Sequence, residues 1–232
     1  MSDSDSVEQP RVDRATAIEQ AGGTWPAKRE LASALRELLD SLCGSGASDE
    51  EIRSAAAEVR SLTRPLADAP PLDEPSENPA APHLGGMHDY MDRGPMCGLS
   101  NPVAPPMTME TNPEAHAARG ELVFGNAYEG APGCVHGGFV ASAFDEMLGV
   151  ASSFSGAPCM TGEFTVRYRH PTPINTPLRI EARFTERRGR RIFTEADMFA
   201  GETRVADARG LFIVIPFDRF SELEQERSES GR

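Results

Sequence analysis

The segment FVASAFDEMLGVASSF, residues 139–154, is apolar on almost every side for about four turns, and it constrains the fold more than any other stretch. A helix on a protein surface shows one apolar stripe, whereas a helix that is apolar nearly all round has to be buried. No run in the chain approaches the roughly 18 to 20 apolar residues of a membrane span, so protein has to do the burying. The flanking segments supply it. MTMET (107–111) and RGELVFG (119–125) come before the helix, and TGEFTVRYRH (161–170), LRIEARFTE (178–186), RRIFTEADMFA (190–200) and TRVADARGLFIVI (203–215) come after it. All six read as strands, separated by turns that contain Thr-Pro, Arg-Gly and Ala-Gly-Glu. Two strands, a buried helix and four more strands have a simple solution of the α+β class. A curved antiparallel sheet wraps around one long central helix lying on its concave face. The exposed apolar remainder and the sheet edge favour a homo-oligomer, either a dimer or a dimer of dimers.

The first hundred residues follow other rules. Residues 1–25 are charged and uneven and read as a flexible arm. In the next stretch Leu31, Leu35, Leu38, Leu39 and Leu42 fall at helical spacing until Gly44 and Gly46 stop the run. Ser48 with Glu51 makes a capping box for a second helix, expected to bury Ile52, Ala55, Ala56, Val59 and Leu62 and to end before Pro65. The two form a helical hairpin over residues 26–64, read as a packing or oligomer-stabilising extension in preference to a module that recruits another protein. A Pro/Gly-rich linker is expected over 65–99, the sheet-and-helix domain over 100–217, and a polar tail over 218–232.

A formal charge of −13 opposes nucleic acid binding, which needs a net basic surface, but it leaves room for one local basic pocket. Cys43, Cys97, Cys134 and Cys159 have no CxxC spacing, and His83, His88, His116, His136 and His170 have no paired spacing. Neither set is a metal signature, and no metal or cofactor is expected. The polar, acidic opening MSDSDSVEQPRVDR lacks the pattern of a signal peptide, so the expectation is a cytoplasmic protein with reduced thiols. No G-x-S-x-G elbow is present.

The chemistry concentrates in Gly133-Cys134-Val135-His136-Gly137-Gly138 and in the apolar helix that follows. Glycines at a helix start let a substrate reach bare backbone N–H groups, which are unsatisfied and sit at the positive end of the helix dipole. Such donors stabilise the oxyanion formed when a carbonyl is attacked. Asp145 is the anomaly on the helix, because a carboxylate among apolar side chains is costly unless it is partnered or faces a cavity. One turn away on either side are Ala141 and Gly149, which leave space beside it. Glu146 is the rival carboxylate, with the less distinctive neighbours Ser142 and Val150.

His136-Gly137-Gly138 with an aspartate nine residues after the histidine resembles the hotdog-fold acyl-CoA thioesterases of the phenylacetate-pathway and human thioesterase-superfamily type. Thr161, sixteen residues past Asp145, matches a Ser/Thr position of some members, and the RYRHP ending of its strand resembles the family's Y-x-x-P stretch. The resemblance spans about residues 100–216. It implies a hotdog fold and hydrolysis of acyl-CoA to a carboxylic acid and CoA. It also implies that the Gly137 N–H polarises the thioester carbonyl, that Gly138 shapes the turn, and that Asp145 acts as general base or nucleophile. Thr161 would orient the water or the carboxylate, and His136 would hold the loop by hydrogen bonding. The family builds its site between two subunits, so Gly137 and Asp145 would come from different chains. One departure stands out: some relatives carry an asparagine about six residues before the histidine, where this chain has Gly130 beside Glu129.

A two-residue period puts Thr161, Glu163, Thr165, Arg167 and Arg169 on one face of their strand and Phe164, Val166 and Tyr168 on the other. On that register Arg167 and Arg169 share the face of Thr161 and reach the CoA phosphates, or else pair with Glu181 or Glu195. Arg190, in the Arg187–Arg191 cluster, is the third expected CoA contact. The competing readings are a non-catalytic acyl-CoA-binding protein of the same fold and a dehydratase acting on an acyl thioester. The second of these lacks its usual Asp–His spacing here.

Overall fold

Alternation along β5 (Arg191–Ala200) shows how the sheet is built, with Ile192, Thr194, Ala196 and Met198 buried and their neighbours more exposed. The same two-residue period buries Ala118 and Leu122 on β2 (Ala117–Val123) and Leu178, Ile180 and Ala182 on β4 (Pro177–Arg188). On β6 (Thr203–Val214) it buries Ala206, Ala208 and Phe212. With β1 (Thr108–Asn112) and β3 (Cys159–Tyr168), these strands form one six-stranded antiparallel sheet in the order β1-β2-β4-β5-β6-β3. The computed structural model describes residues 25–70 and 92–215. Of the expected arm at 1–25, residues 1–24 lie outside those residues and Trp25 opens a helix; the centre of the linker with His83 and His88 and the tail at 218–232 also lie outside them.

Every inward row meets the central helix, Gly137–Ser152, whose Val140, Ala143, Phe144, Met147, Leu148 and Ala151 are buried. Each such side chain removed from water contributes on the order of 1.5–3 kcal/mol where it is as large as Leu, Phe or Met. Gly120 lets the helix come close to β2, since a Cβ there would lie 2.7 Å from the Met147 sulfur. The architecture is the expected α+β hotdog, with the helix wrapped by the sheet. β3 and β1 are its two open edges.

The N-terminal helices differ from expectation. α1 (Trp25–Gly44) docks through its polar side: Arg29 pairs with Asp92 at 2.9 Å, and Arg36 donates to the carbonyls of Leu99 and Asn101 at 3.1 and 3.0 Å. Asp40 accepts from the Asn126 backbone N–H, and Ala32 is the residue buried beneath. α2 (Asp49–Ala67) has the expected Ser48–Glu51 capping box, but none of its residues is buried, so Ile52, Ala55, Ala56, Val59 and Leu62 do not form a core. It also runs past Pro65 to Ala67. A proline this near the end of a helix removes one hydrogen bond from a turn that is already fraying. The expected linker is shorter on its C-terminal side, where Met96 and Cys97 are buried in the domain. Among the described residues no helix is long and apolar enough to cross a membrane.

Candidate active site

The central helix, α3 from here on, begins in a loop pinned on both sides. The Gly130 N–H donates to Cys134 O at 2.8 Å, Val135 N–H to Thr172 O at 2.8 Å, and His136 N–H to Tyr128 O at 2.9 Å. Glu129 accepts from the Gly133 N–H through its carboxylate. Gly130 packs so tightly that a Cβ would sit 2.8 Å from the His136 Cα. A side chain there would force the loop to shift. Tyr128 closes the loop from the side of α1: its phenol donates to Val103 O at 2.7 Å and its ring meets Phe139 edge-on at 4.9 Å. Burial raises this phenol above its ordinary value, against an opposing pull from Arg36 and with a smaller push upward from Asp40.

His136 is the N-cap of α3. Its Nδ1 accepts from the Gly138 N–H at 3.1 Å, and its carbonyl accepts from Phe139 at 2.9 Å. An Nδ1 that accepts leaves the proton of neutral imidazole on Nε2. The Gly138 donor is therefore consumed by the cap. Among the described residues nothing accepts from the Gly137 N–H, the first donor of a sixteen-residue helix. Tyr168 fixes this residue from the sheet side, donating its phenol hydrogen to Gly137 O at 2.8 Å.

Two turns further on, the Thr161 hydroxyl donates to Asp145 Oδ1 at 2.9 Å. The half-buried carboxylate keeps its other oxygen outside this contact. Beside it, a Cβ on Gly149 would meet no atom within 4 Å, so the space expected there exists. Glu146 is engaged elsewhere, accepting from the Cys97 thiol at 3.4 Å. The segment that carries Cys97 thus packs against the far side of the helix.

Thr161 reaches Asp145 because of a β-bulge. Thr161 pairs with Phe212 and Glu163 with Leu211, which leaves Gly162 as the extra residue. One extra residue reverses the side-chain alternation. Thr161 therefore shares the helix-facing side with Phe164, Val166 and Tyr168, whose partners Gly210, Ala208 and Ala206 are buried. The expected common face of Thr161, Arg167 and Arg169 does not exist. Arg167 lies opposite Asp207 on the outer side of the sheet, and Arg169 is ion-paired with Asp207. Both line an open groove with Arg183, Glu195, Asp197 and Arg204. Arg190 holds Val214 O with Nε at 3.3 Å and Nη2 at 3.2 Å, at the end of the sheet where Thr161 sits.

Nothing in the sequence singles out Tyr168 within RYRHP, and a strict two-residue period takes no account of the bulge. The signal for the bulge was present: a glycine interrupting a strand pattern. The contacts of Cys97 with Glu146 and of Asp40 with Asn126 join segments far apart in the chain and had no local signature.

Residues 132–206 match the family model described as Thioesterase superfamily, a span that runs from the His136 loop through Thr161 into β6. Two curated relatives are acyl-coenzyme A thioesterases named THEM4. The one from Xenopus laevis is 30% identical over 89 residues, which is 38% of this chain and 40% of the relative. The one from Bos taurus is 28% identical over 95 residues, 40% of this chain and 39% of the relative. The matched part thus spans about two fifths of the length of these relatives. A crystal structure of protein RHA08564, a thioesterase superfamily protein, superposes with a TM-score of 0.70 at 28% identity, covering 80% of this chain and 90% of that one. Such coverage exceeds what residues 92–215 supply, so it extends into the N-terminal part of the chain.

Proposed function

We propose, for a chain whose hotdog fold carries a thioesterase superfamily domain at residues 132–206, that it hydrolyses acyl-CoA to a carboxylic acid and free CoA. The observation that carries this reading is the Thr161–Asp145 hydrogen bond at 2.9 Å, which holds one carboxylate oxygen and leaves the other for a reactant. Asp145 takes a proton from water, and the water oxygen bonds to the thioester carbonyl carbon. The resulting oxyanion is stabilised by the Gly137 N–H and by the positive end of α3. Collapse of this intermediate breaks the C–S bond, and the CoA sulfur leaves with the proton held by Asp145. Direct attack by the carboxylate, with water then cleaving an anhydride, is the alternative path for the same residue.

Two copies of the chain are part of this proposal for a geometric reason. Gly137 and Asp145 are eight residues apart on one helix, and at 1.5 Å per residue they are separated by about 12 Å along its axis. A carbonyl oxygen and its carbon are little more than 1 Å apart. In this proposal the donor and the base that meet at one thioester come from different chains, related by a two-fold axis that supplies both sites at once. The open edge at β3 and the half-covered side of α3 are the surfaces available for this dimer. Arg190, at the Thr161 end of the sheet, is the residue assigned to the CoA phosphates. His136 has the structural role of holding the loop and capping the helix.

The test is release of thiol from acyl-CoAs of varied chain length by the purified protein. No turnover of any of them, together with retained binding, would favour the non-catalytic acyl-CoA-binding reading.

A further inference from the structure

The helical arm is docked inside out. α1 turns Arg29, Arg36 and Asp40 toward the domain and its leucines away from it: Leu31 is 38% exposed, Leu38 39% and Leu42 53%. Leu31, Leu35, Leu38 and Leu42 alternate in steps of four and three, the spacing of a helix–helix seam. α2 repeats the arrangement with Ile52, Ala55, Val59, Leu62 and Leu66, of which Leu62 is 62% exposed, and it buries nothing at all. A short connection usually folds one helix back onto the next. Here four residues separate α1 from α2, yet among the described residues neither seam is buried.

We infer that the arm is an assembly surface for a second copy of this chain, with the seam of α1 on one copy packing against the seam of α2 on the other. Three observations select this occupant. First, the helices that carry the seams match in length, 20 and 19 residues, and one reciprocal contact covers both seams of both copies. Second, a helix of this length offers a face of at most about 30 Å by about 10 Å, so two helices on each of two copies can bury up to about 1,200 Å², the lower bound for a specific interface. Third, the arm avoids the repulsion that the rest of the chain would impose. α1 carries three basic and three acidic side chains and α2 three and four, so the two helices hold one of the chain's net −13 charges.

The arm is also wired to the candidate site. Asp40 holds the Asn126 N–H, the turn at 126–128 carries Tyr128, and Tyr128 O holds the His136 N–H. A second copy clamped on α1 therefore bears on the loop that presents Gly137. The inference does not depend on catalysis, and its test reads assembly alone.

The full-length chain and its double variant Leu38→Glu/Leu62→Glu are compared by sedimentation over a range of concentrations, with circular dichroism to establish that both are folded. The variant is expected to dissociate at concentrations at least tenfold above those at which the parent chain comes apart. Coincident mass-against-concentration curves overturn the inference. The second arm of the test keeps it decidable if the double variant is poorly folded. Differently tagged Leu38→Cys and Leu62→Cys chains, each with Cys43→Ser, are mixed and oxidised. A disulfide joining the two tags is the expected product. Absence of that product overturns the inference, whatever the thioesterase assay shows.

Discussion

The hydroxyl of Thr161 donates to Asp145 Oδ1 at 2.9 Å, across from the edge strand to the central helix. Seven residues further along the same strand, Tyr168 donates to Gly137 O at 2.8 Å. β3 and α3 run in opposite senses, so one strand braces both the start and the middle of the helix. Each brace fixes a different element: one orients a carboxylate, the other steadies the turn that offers an unused N–H.

Replacing Asp145 by Asn keeps the shape and the contact with Thr161 but removes the base. Loss of a positioned acid–base group lowers turnover by about 10²–10⁴-fold. KM should change little, because the amide still fills the site. Thiol-release kinetics on whichever acyl-CoA the parent chain hydrolyses best checks this, and wild-type turnover by the Asn variant would end the assignment.

Thr161 allows a finer comparison. A hydrogen bond to a charged group contributes about 1.5–3 kcal/mol, equivalent to a loss of roughly ten- to a hundredfold when it is removed. Thr161→Val should show that loss in kcat, and Thr161→Ser should recover most of it. If Val and Ser behave alike, the hydroxyl is not what orients Asp145.

Arg190 is tested by trimming the substrate in place of the enzyme. If it binds CoA phosphates, Arg190→Ala raises KM for acyl-CoA and leaves KM for the corresponding acyl-pantetheine, which has no nucleotide, unchanged. An equal rise for both substrates would mean that the side chain matters only through its hold on Val214 O.

The sequence made the fold and the core of the site legible because both are written in local terms. Four apolar turns required a helix surrounded by protein, alternating strands supplied the wall, and His136-Gly137-Gly138 marked the helix start. Asp145 stood out as a charge without a local partner. The expected face of β3 fails by a single residue of register. Gly162 adds one position to β3, so the face assigned to Thr161, Arg167 and Arg169 divides, and the arginines point to the outer side of the sheet. α2 departs from expectation differently, because an apolar stripe specifies that something covers it without saying which chain provides the cover.

Thr194 gives a prediction about stability. It is buried on the inner face of β5, and its hydroxyl has no hydrogen-bond partner among the described residues. An unsatisfied buried hydroxyl costs about 1–3 kcal/mol, and valine has nearly the same shape without it. Thr194→Val should raise stability by about 1 kcal/mol, or about 2–4 °C in Tm for a chain of this size. Thermal unfolding checks it, and a lowered Tm would point to a partner for the hydroxyl.

The two-chain site makes the most demanding prediction. An Asp145→Asn chain lacks the base and a Gly137→Pro chain lacks the donor N–H, so a homodimer of either has two defective sites. A mixed dimer differs, because one of its sites takes Asp145 from the Gly137→Pro chain and the Gly137 N–H from the Asp145→Asn chain, while the other site takes both defects. Random mixing makes half the dimers mixed, and half the sites in those are intact, so activity should return to about a quarter of the parent value. Recovery depends on the proposed pairing of the donor of one chain with the base of the other, which lie about 12 Å apart along each single helix. The check is thiol release after the two inactive variants are co-refolded in equal amounts, against each refolded alone. If each variant folds and pairs but the mixture stays as inactive as its parts, the carboxylate and the N–H do not meet across the dimer, and the oxyanion donor must be sought within reach of Asp145 on its own chain.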